Sequence, residues 1–305
     1  MGPLPDDAIA EDARKADDDV GGAAVSPSAR RPAHPPEQSR TGPRRARPGP
    51  RDRTTRRARR RGDRVSLPLQ LSDRTMRALA EADDLSTVRD VPLTSTVSTD
   101  PVGRLTVRRG ERLAKVVYVG LSVPAIGLDS HMVFAFTPAE SAVPHFTLDA
   151  VEANGYLAFH LDLVPRAELA SHLDYLTVAF QPLTPAFEEA AELFGASRAA
   201  ISPRQYAMMS PWMLVHRADE ERFRRVSGFV DAYLGHWRAL LADGLPQEVL
   251  TGLTDTDLAA RDARNRAALF SREVDPVWAD VSHLLGDERT DDIRAELLRN
   301  AVSGD

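Results

Sequence analysis

Hydrophobic and polar positions alternate through the middle of the chain with the two-residue period of a β-strand. In residues 144–152, His145, Thr147 and Asp149 share one face, and Phe146 and Leu148 share the other. In residues 156–164, Leu157, Phe159, Leu161 and Leu163 form an apolar face, with Tyr156, His160 and Asp162 opposite. Ala153-Asn154-Gly155 between the two runs reads as a hairpin connection. Shorter runs at 105–107, 114–119 and 131–136 are rich in branched or aromatic residues and bounded by Gly, Pro and Asp, so they predict further strands, with another at 211–217.

Elsewhere the apolar spacing lengthens to that of a helix. Met76, Leu79 and Leu85 predict a helix over 71–85, with Ser72 placed to cap it. Thr184 as cap, Pro185 at the first position and Gly195 at the end frame a short helix. Phe223, Val226, Val230, Tyr233, Trp237, Leu240 and Leu241 recur as one long amphipathic helix over 219–244, and two more helices are expected at about 254–270 and 288–299. Strands followed by helices predict an α+β fold: a three-layer α/β/α sandwich with a central antiparallel sheet. The chain contains no Gly-x-Gly-x-x-Gly or Walker-type loop, so nothing in it points to a dinucleotide or nucleoside triphosphate site.

Composition divides the chain in two. Residues 1–64 are rich in Pro, Arg, Asp, Gly and Ala and poor in aromatic and branched apolar residues, which predicts a disordered basic tail ahead of a folded domain at 65–305. The tail holds 16 basic and 10 acidic side chains, so the total of −6 leaves the folded part at −12. Arg56-Arg57-Ala58-Arg59-Arg60-Arg61 could meet nucleic acid phosphates, but no interleaved aromatic residue is there to stack on bases. A solvated tail, or sequence upstream of the true start, is the plainer expectation. No apolar run approaches the roughly 18 residues that span a bilayer, and the N-terminus lacks the apolar core of a secretory signal, so a cytoplasmic protein without a membrane partner is expected.

With no cysteine, the chain can form neither a disulfide, nor a thiolate zinc site, nor a Cys-held iron–sulfur cluster, so any electrons must come from outside. The polar strand face of His145, Thr147, Asp149, His160 and Asp162 is either an ordinary solvent-facing side or, if helices cover it, a polar-lined pocket. His160, Asp162, His172 and Asp174 lack a repeated ligand spacing, so no metal site is expected. Met208, Met209, Trp212 and Met213 form a soft apolar cluster suited either to the core or to a broad π-system.

Several segments together resemble the red chlorophyll catabolite reductase family, a relative of the ferredoxin-dependent bilin reductases. They are the His-Phe strand 144–149 ending in Asp149, and the block Asp162-Leu163-Val164-Pro165-Arg166 with Leu169, His172, Asp174, Tyr175 and Leu176 at matching spacing. Ser202-Pro203, Ser210-Pro211 and Arg272-Glu273-Val274-Asp275 follow, so that the likeness runs over roughly 115–299. Where the plant enzymes usually carry Glu, this chain carries Asp149, one methylene shorter.

The resemblance implies a ferredoxin-dependent reduction of an open-chain tetrapyrrole, either a red chlorophyll catabolite-like pigment or a bilin. No bound cofactor is implied, electrons come from reduced ferredoxin, and Asp149 and Asp275 serve as the acid pair. Burial would have to keep such acids protonated before the pigment is reduced. Within that reading His145, Thr147, Met209 and Trp212 are expected to contact substrate; the other expectation for His145, on a half-buried strand, is a satisfied structural histidine. Arg166 is expected to anchor a loop. Ferredoxins are acidic, and Arg261, Arg264, Arg266 and Arg272 are the expected docking cluster, unless they only form a solvated helix face. The rival expectation is a non-catalytic protein that holds a pigment or small molecule on the same fold.

Overall fold

The structure is a computed structural model in which residues 65–96, 98, 100–195 and 201–300 are described. The basic tail and its arginine run lie outside the described residues.

Among the described residues the first element is helix α1 (Leu67–Ala82). Ser66 caps it by accepting the Leu69 N–H, and Pro68 sits in the first turn, where a missing N–H costs nothing. Ser72, expected as the cap, is instead buried inside the helix. Seven strands follow: β1 (Ser86–Thr94), β2 (Pro101–Arg109), β3 (Lys115–Val123), β4 (Leu128–Phe136), β5 (His145–Ala153), β6 (Tyr156–Val164) and β7 (Leu214–Ala218). They form one sheet in chain order, every neighbouring pair antiparallel.

The helices are α2 (Leu173–Ala179), α3 (Thr184–Phe194), α4 (Pro203–Tyr206), α5 (Glu220–Phe223), α6 (Val226–Asp243), α7 (Gln247–Thr251), α8 (Leu258–Leu269), α9 (Val277–Leu285) and α10 (Asp287–Leu298). They divide between the two sheet faces. Phe146, Leu148, Leu161 and Leu163 pack with Leu79 of α1, Tyr175 of α2 and Trp237 of α6. Val117, Val119, Met132 and Phe136 face the other way and pack with Phe270, Trp278 of α9 and Ile293 of α10. Because successive strand residues point to opposite faces, one sheet supplies both cores, and the architecture is the expected α+β sandwich with an antiparallel centre.

Local departures from the predicted elements have local causes. The expected helix over 219–244 breaks at Arg224-Arg225 into α5, capped by Asp219, and α6. Thr184 does not cap α3; it lies inside the helix, and its hydroxyl accepts the Trp212 indole N–H at 2.9 Å.

The β5–β6 hairpin turns through Asn154 and Gly155, with φ of 50° and 87°. Both positive values suit the tight turn that follows the twist of the strands. A Cβ on Gly155 would meet no neighbouring atom, so its cost is one of backbone conformation alone. Gly155→Ala is expected to lower unfolding free energy by about 1 kcal/mol in urea titration, with the fold unchanged.

Candidate active site

A cavity of about 430 Å³ lies against the second sheet face, within the size range of small-molecule pockets. Its floor includes Thr147 and Asp149 of β5, His160 of β6 and Arg217 of β7. Phe270, Asp275 and Trp278 from the C-terminal helical layer close it from above, and Met209 and Met213 form a side wall. The helical layer therefore turns the polar strand face into a pocket wall. Asp149 and Asp275, 126 positions apart by their numbers, line the same space.

Asp149 is the chemically unusual group. Its Oδ1 is sealed from solvent and has no hydrogen-bond partner among the described residues. Burial, aided by the negative charge of Asp275, pushes its carboxyl up to about 7. Asp275 is also raised by burial, while the Val277 N–H it accepts at 3.0 Å, at the start of α9, works in the opposite direction. It thus has the helix-end role that its place before Pro276 suggests, and it lines the cavity as well. Since Asp275 helps to hold Asp149 protonated, Asp275→Asn is expected to lower the Asp149 pKa, as followed by carboxyl NMR titration. An unchanged or raised value contradicts that coupling.

Asp162 is buried one cross-strand step away, opposite Thr147. It accepts the Ser210 backbone N–H at 2.9 Å and the Ser210 hydroxyl, and so pins the Ser-Pro step that precedes β7. Burial raises its pKa to about 7.

Of the four residues expected to contact substrate, Thr147 and Met209 line the cavity. His145 does not. It is buried at the end of β5, with Nε2 2.7 Å from Asp262 Oδ1 and Nδ1 accepting the Thr137 N–H, and burial lowers its pKa to about 3. Trp212 is also elsewhere, stacked on Phe180 and bonded to Thr184 over the first core.

The four arginines do not form a basic face. Arg266 is buried and paired with Asp262, Arg261 donates to the Pro165 carbonyl, and Arg272 is held by Asp287 and Asp291; Arg264 is exposed. Arg166 is a buried clamp that donates to the Ala139 carbonyl and the Thr137 hydroxyl, while its own backbone N–H donates to the Tyr175 hydroxyl. The Pro-Arg block and its Tyr175 therefore serve the scaffold.

His160, placed by alternation on the polar strand face, lines the cavity as well, although neither spacing nor the resemblance singles it out as a substrate contact. It pairs directly with Asp149, a register that follows from counting back along both strands from the Ala153 and Tyr156 pair at the hairpin turn. Burial lowers its pKa to about 4, so the imidazole is neutral at neutral pH. Among the described residues, no group of three His, Cys, Asp or Glu is arranged to hold a metal ion. No described helix is long and apolar enough to cross a membrane.

A second depression of similar volume lies between α1 and the α5–α6 junction. Two of its arginines, Arg74 and Arg224, are paired with Asp231 and Glu220. It gathers no buried acid, so the sheet cavity is the candidate site.

No protein-family model and no curated protein matches the chain. Among solved structures, the chain is similar to phytochromobilin synthase from tomato in complex with biliverdin, with a TM-score of 0.58 and 15% identity over 76% of this chain and 82% of that one. At this identity the likeness is one of fold alone.

Proposed function

We propose that the chain is a ferredoxin-dependent reductase of an open-chain tetrapyrrole, a bilin or a red chlorophyll catabolite-like pigment, in which Asp149 and Asp275 supply protons. The observation that carries this reading is Asp149: an acid with an open valence and a pKa near neutrality, facing a cavity on a fold that holds biliverdin in the tomato enzyme. Two electrons, delivered singly by reduced ferredoxin, and two protons add two hydrogen atoms across one conjugated bond, and the carrier leaves oxidised. Electron uptake makes the pigment more basic, so an acid fixed beside it directs where the proton goes. A carboxyl that remained ionised at neutral pH would have no proton to give. Burial raises Asp149 to about 7 and raises Asp275 as well, so that a protonated carboxyl is at hand near neutral pH.

Anaerobic incubation of the full chain with reduced ferredoxin and either biliverdin or red chlorophyll catabolite tests the reading. Progressive loss of the long-wavelength absorption band is expected for one of the two. A coloured complex that never bleaches identifies a non-catalytic pigment binder, and no spectral change on mixing rejects a pigment site altogether.

A further inference from the structure

The proposed chemistry gives no task to His160 in the cavity wall. His160 stands beside Asp149 across the β5–β6 pair, both side chains on the cavity face. In such a pair the Cβ atoms are about 5 Å apart. Nε2 of His160, like Oδ1 of Asp149, is sealed from solvent and has no hydrogen-bond partner among the described residues. Buried polar atoms are nearly always bonded in native proteins. Two open valences on directly paired residues in the wall of a cavity mark a place where a bound molecule completes the bonding.

The charges around the pair narrow what that molecule presents. His160 is neutral, Asp149 keeps its proton up to about pH 7, and the roof contributes the acids Asp275 and Asp280. From β4, the residues facing this space are Met132 and Phe134. The cation of the floor, Arg217, lies further along β7 opposite Ala158, over the ring of Tyr156. A carboxylate beside Asp149 would meet acids, whereas a neutral polar edge would not.

We propose that His160 is a second substrate-contacting residue, and that with Asp149 it binds a neutral ring edge carrying a hydrogen-bond donor beside an acceptor, as the lactam edge of a terminal pyrrole ring does. The inference rests on the tetrapyrrole reading of the cavity. Protonated Asp149 and neutral imidazole together offer both a donor and an acceptor to such an edge. His160 would thus help to select which ring lies against the acid.

Absorption titration of the full-length protein with biliverdin and with its dimethyl ester, which keeps the lactams and neutralises the propionates, tests this. His160→Phe keeps a ring and removes the valence; His160→Gln keeps a hydrogen-bonding group. The expected result is about tenfold weaker binding of both ligands by the Phe variant, equivalent to one lost hydrogen bond, and near wild-type binding by the Gln variant. Thermal melting confirms that both variants are folded. Equal binding by the Phe variant, or a loss confined to the free acid, overturns the lactam contact while leaving the tetrapyrrole site in place. Failure of the wild-type protein to bind either ligand rejects the site and this inference together.

Discussion

Asp149→Asn is expected to slow reduction of the bound pigment by at least about a hundredfold, the lower end of what a positioned general acid contributes. The loss should appear in the rate of bleaching and not in pigment binding, because asparagine keeps the shape and hydrogen-bonding capacity of the side chain but carries no transferable proton.

Stability should move in the opposite direction. The Asp149 carboxyl has a folded-state pKa of about 7 against 3.8 as its ordinary value. Between those limits the native state holds a proton that the unfolded chain has released, so stability falls as pH rises from about 4 to 7 and the penalty is complete above that. Removing the ionisable group lifts the penalty. The variant should therefore melt no lower than wild type at pH 8, with its relative advantage shrinking toward pH 4. A variant that is inactive and also strongly destabilised at pH 8 would show Asp149 to be structural.

Asp262→Asn is expected to be the most damaging single change to the fold, costing about 3 kcal/mol or more in urea unfolding. Asp262 on α8 is the hub of a buried charged cluster: Oδ1 bonds His145 Nε2 at 2.7 Å, Arg266 lies at 3.1 Å, and Asn300 donates to Oδ2 at 2.8 Å. Arg166 is 3.8 Å away. Arg266 in turn lies over the Phe136 ring and donates to the carbonyls of Leu297 and Arg299 at the end of α10. Neutralising Asp262 leaves two arginines, each only 1% exposed, buried without their counter-charge. It also loosens the roof of the cavity from β5.

The partners around Asp262 hold its carboxyl well below the usual carboxylate range, despite burial, which acts the other way. Its contribution is therefore present above the unfolded pKa of roughly 4 and is lost as pH falls toward the depressed folded value. The gap between wild type and Asp262→Asn should narrow in acid. An equal gap at pH 7 and pH 3 would contradict the charge-pairing account.

Alternation alone was enough to make β5, β6 and their polar face legible, because strand period and turn chemistry agree there. The Asn154-Gly155 turn also fixes the register that sets His160 against Asp149. By contrast β1 was missed: it is an edge strand in which only Leu93 is fully buried, so it has almost no apolar pattern to detect. The helix α9 was missed as well, although Trp278, Val281 and Leu285 on it are buried.

Arg266 shows the limit of reading charge from sequence. An arginine on an exposed-looking helix is expected in solvent, yet here a carboxylate, two carbonyls and an aromatic ring from distant segments receive it. His145 was misplaced for the same reason: strand parity gave its face correctly, but the cover over the end of β5 is Asp262 rather than the cavity. The convergence of Asp149 and Asp275 has no local signature. It was anticipated through the family resemblance, and it depends on how α8 and α9 cross the sheet.

The most direct measurement is the pH dependence of single-turnover bleaching in a preformed complex of the protein with its pigment, mixed anaerobically with excess reduced ferredoxin. If Asp149 delivers the proton, the rate should be steady in mild acid and fall about tenfold per pH unit above a midpoint near or above 7, and this limb should vanish in Asp149→Asn. A rate that ignores pH across that range, or a limb that survives intact in the asparagine variant, would contradict proton delivery by Asp149.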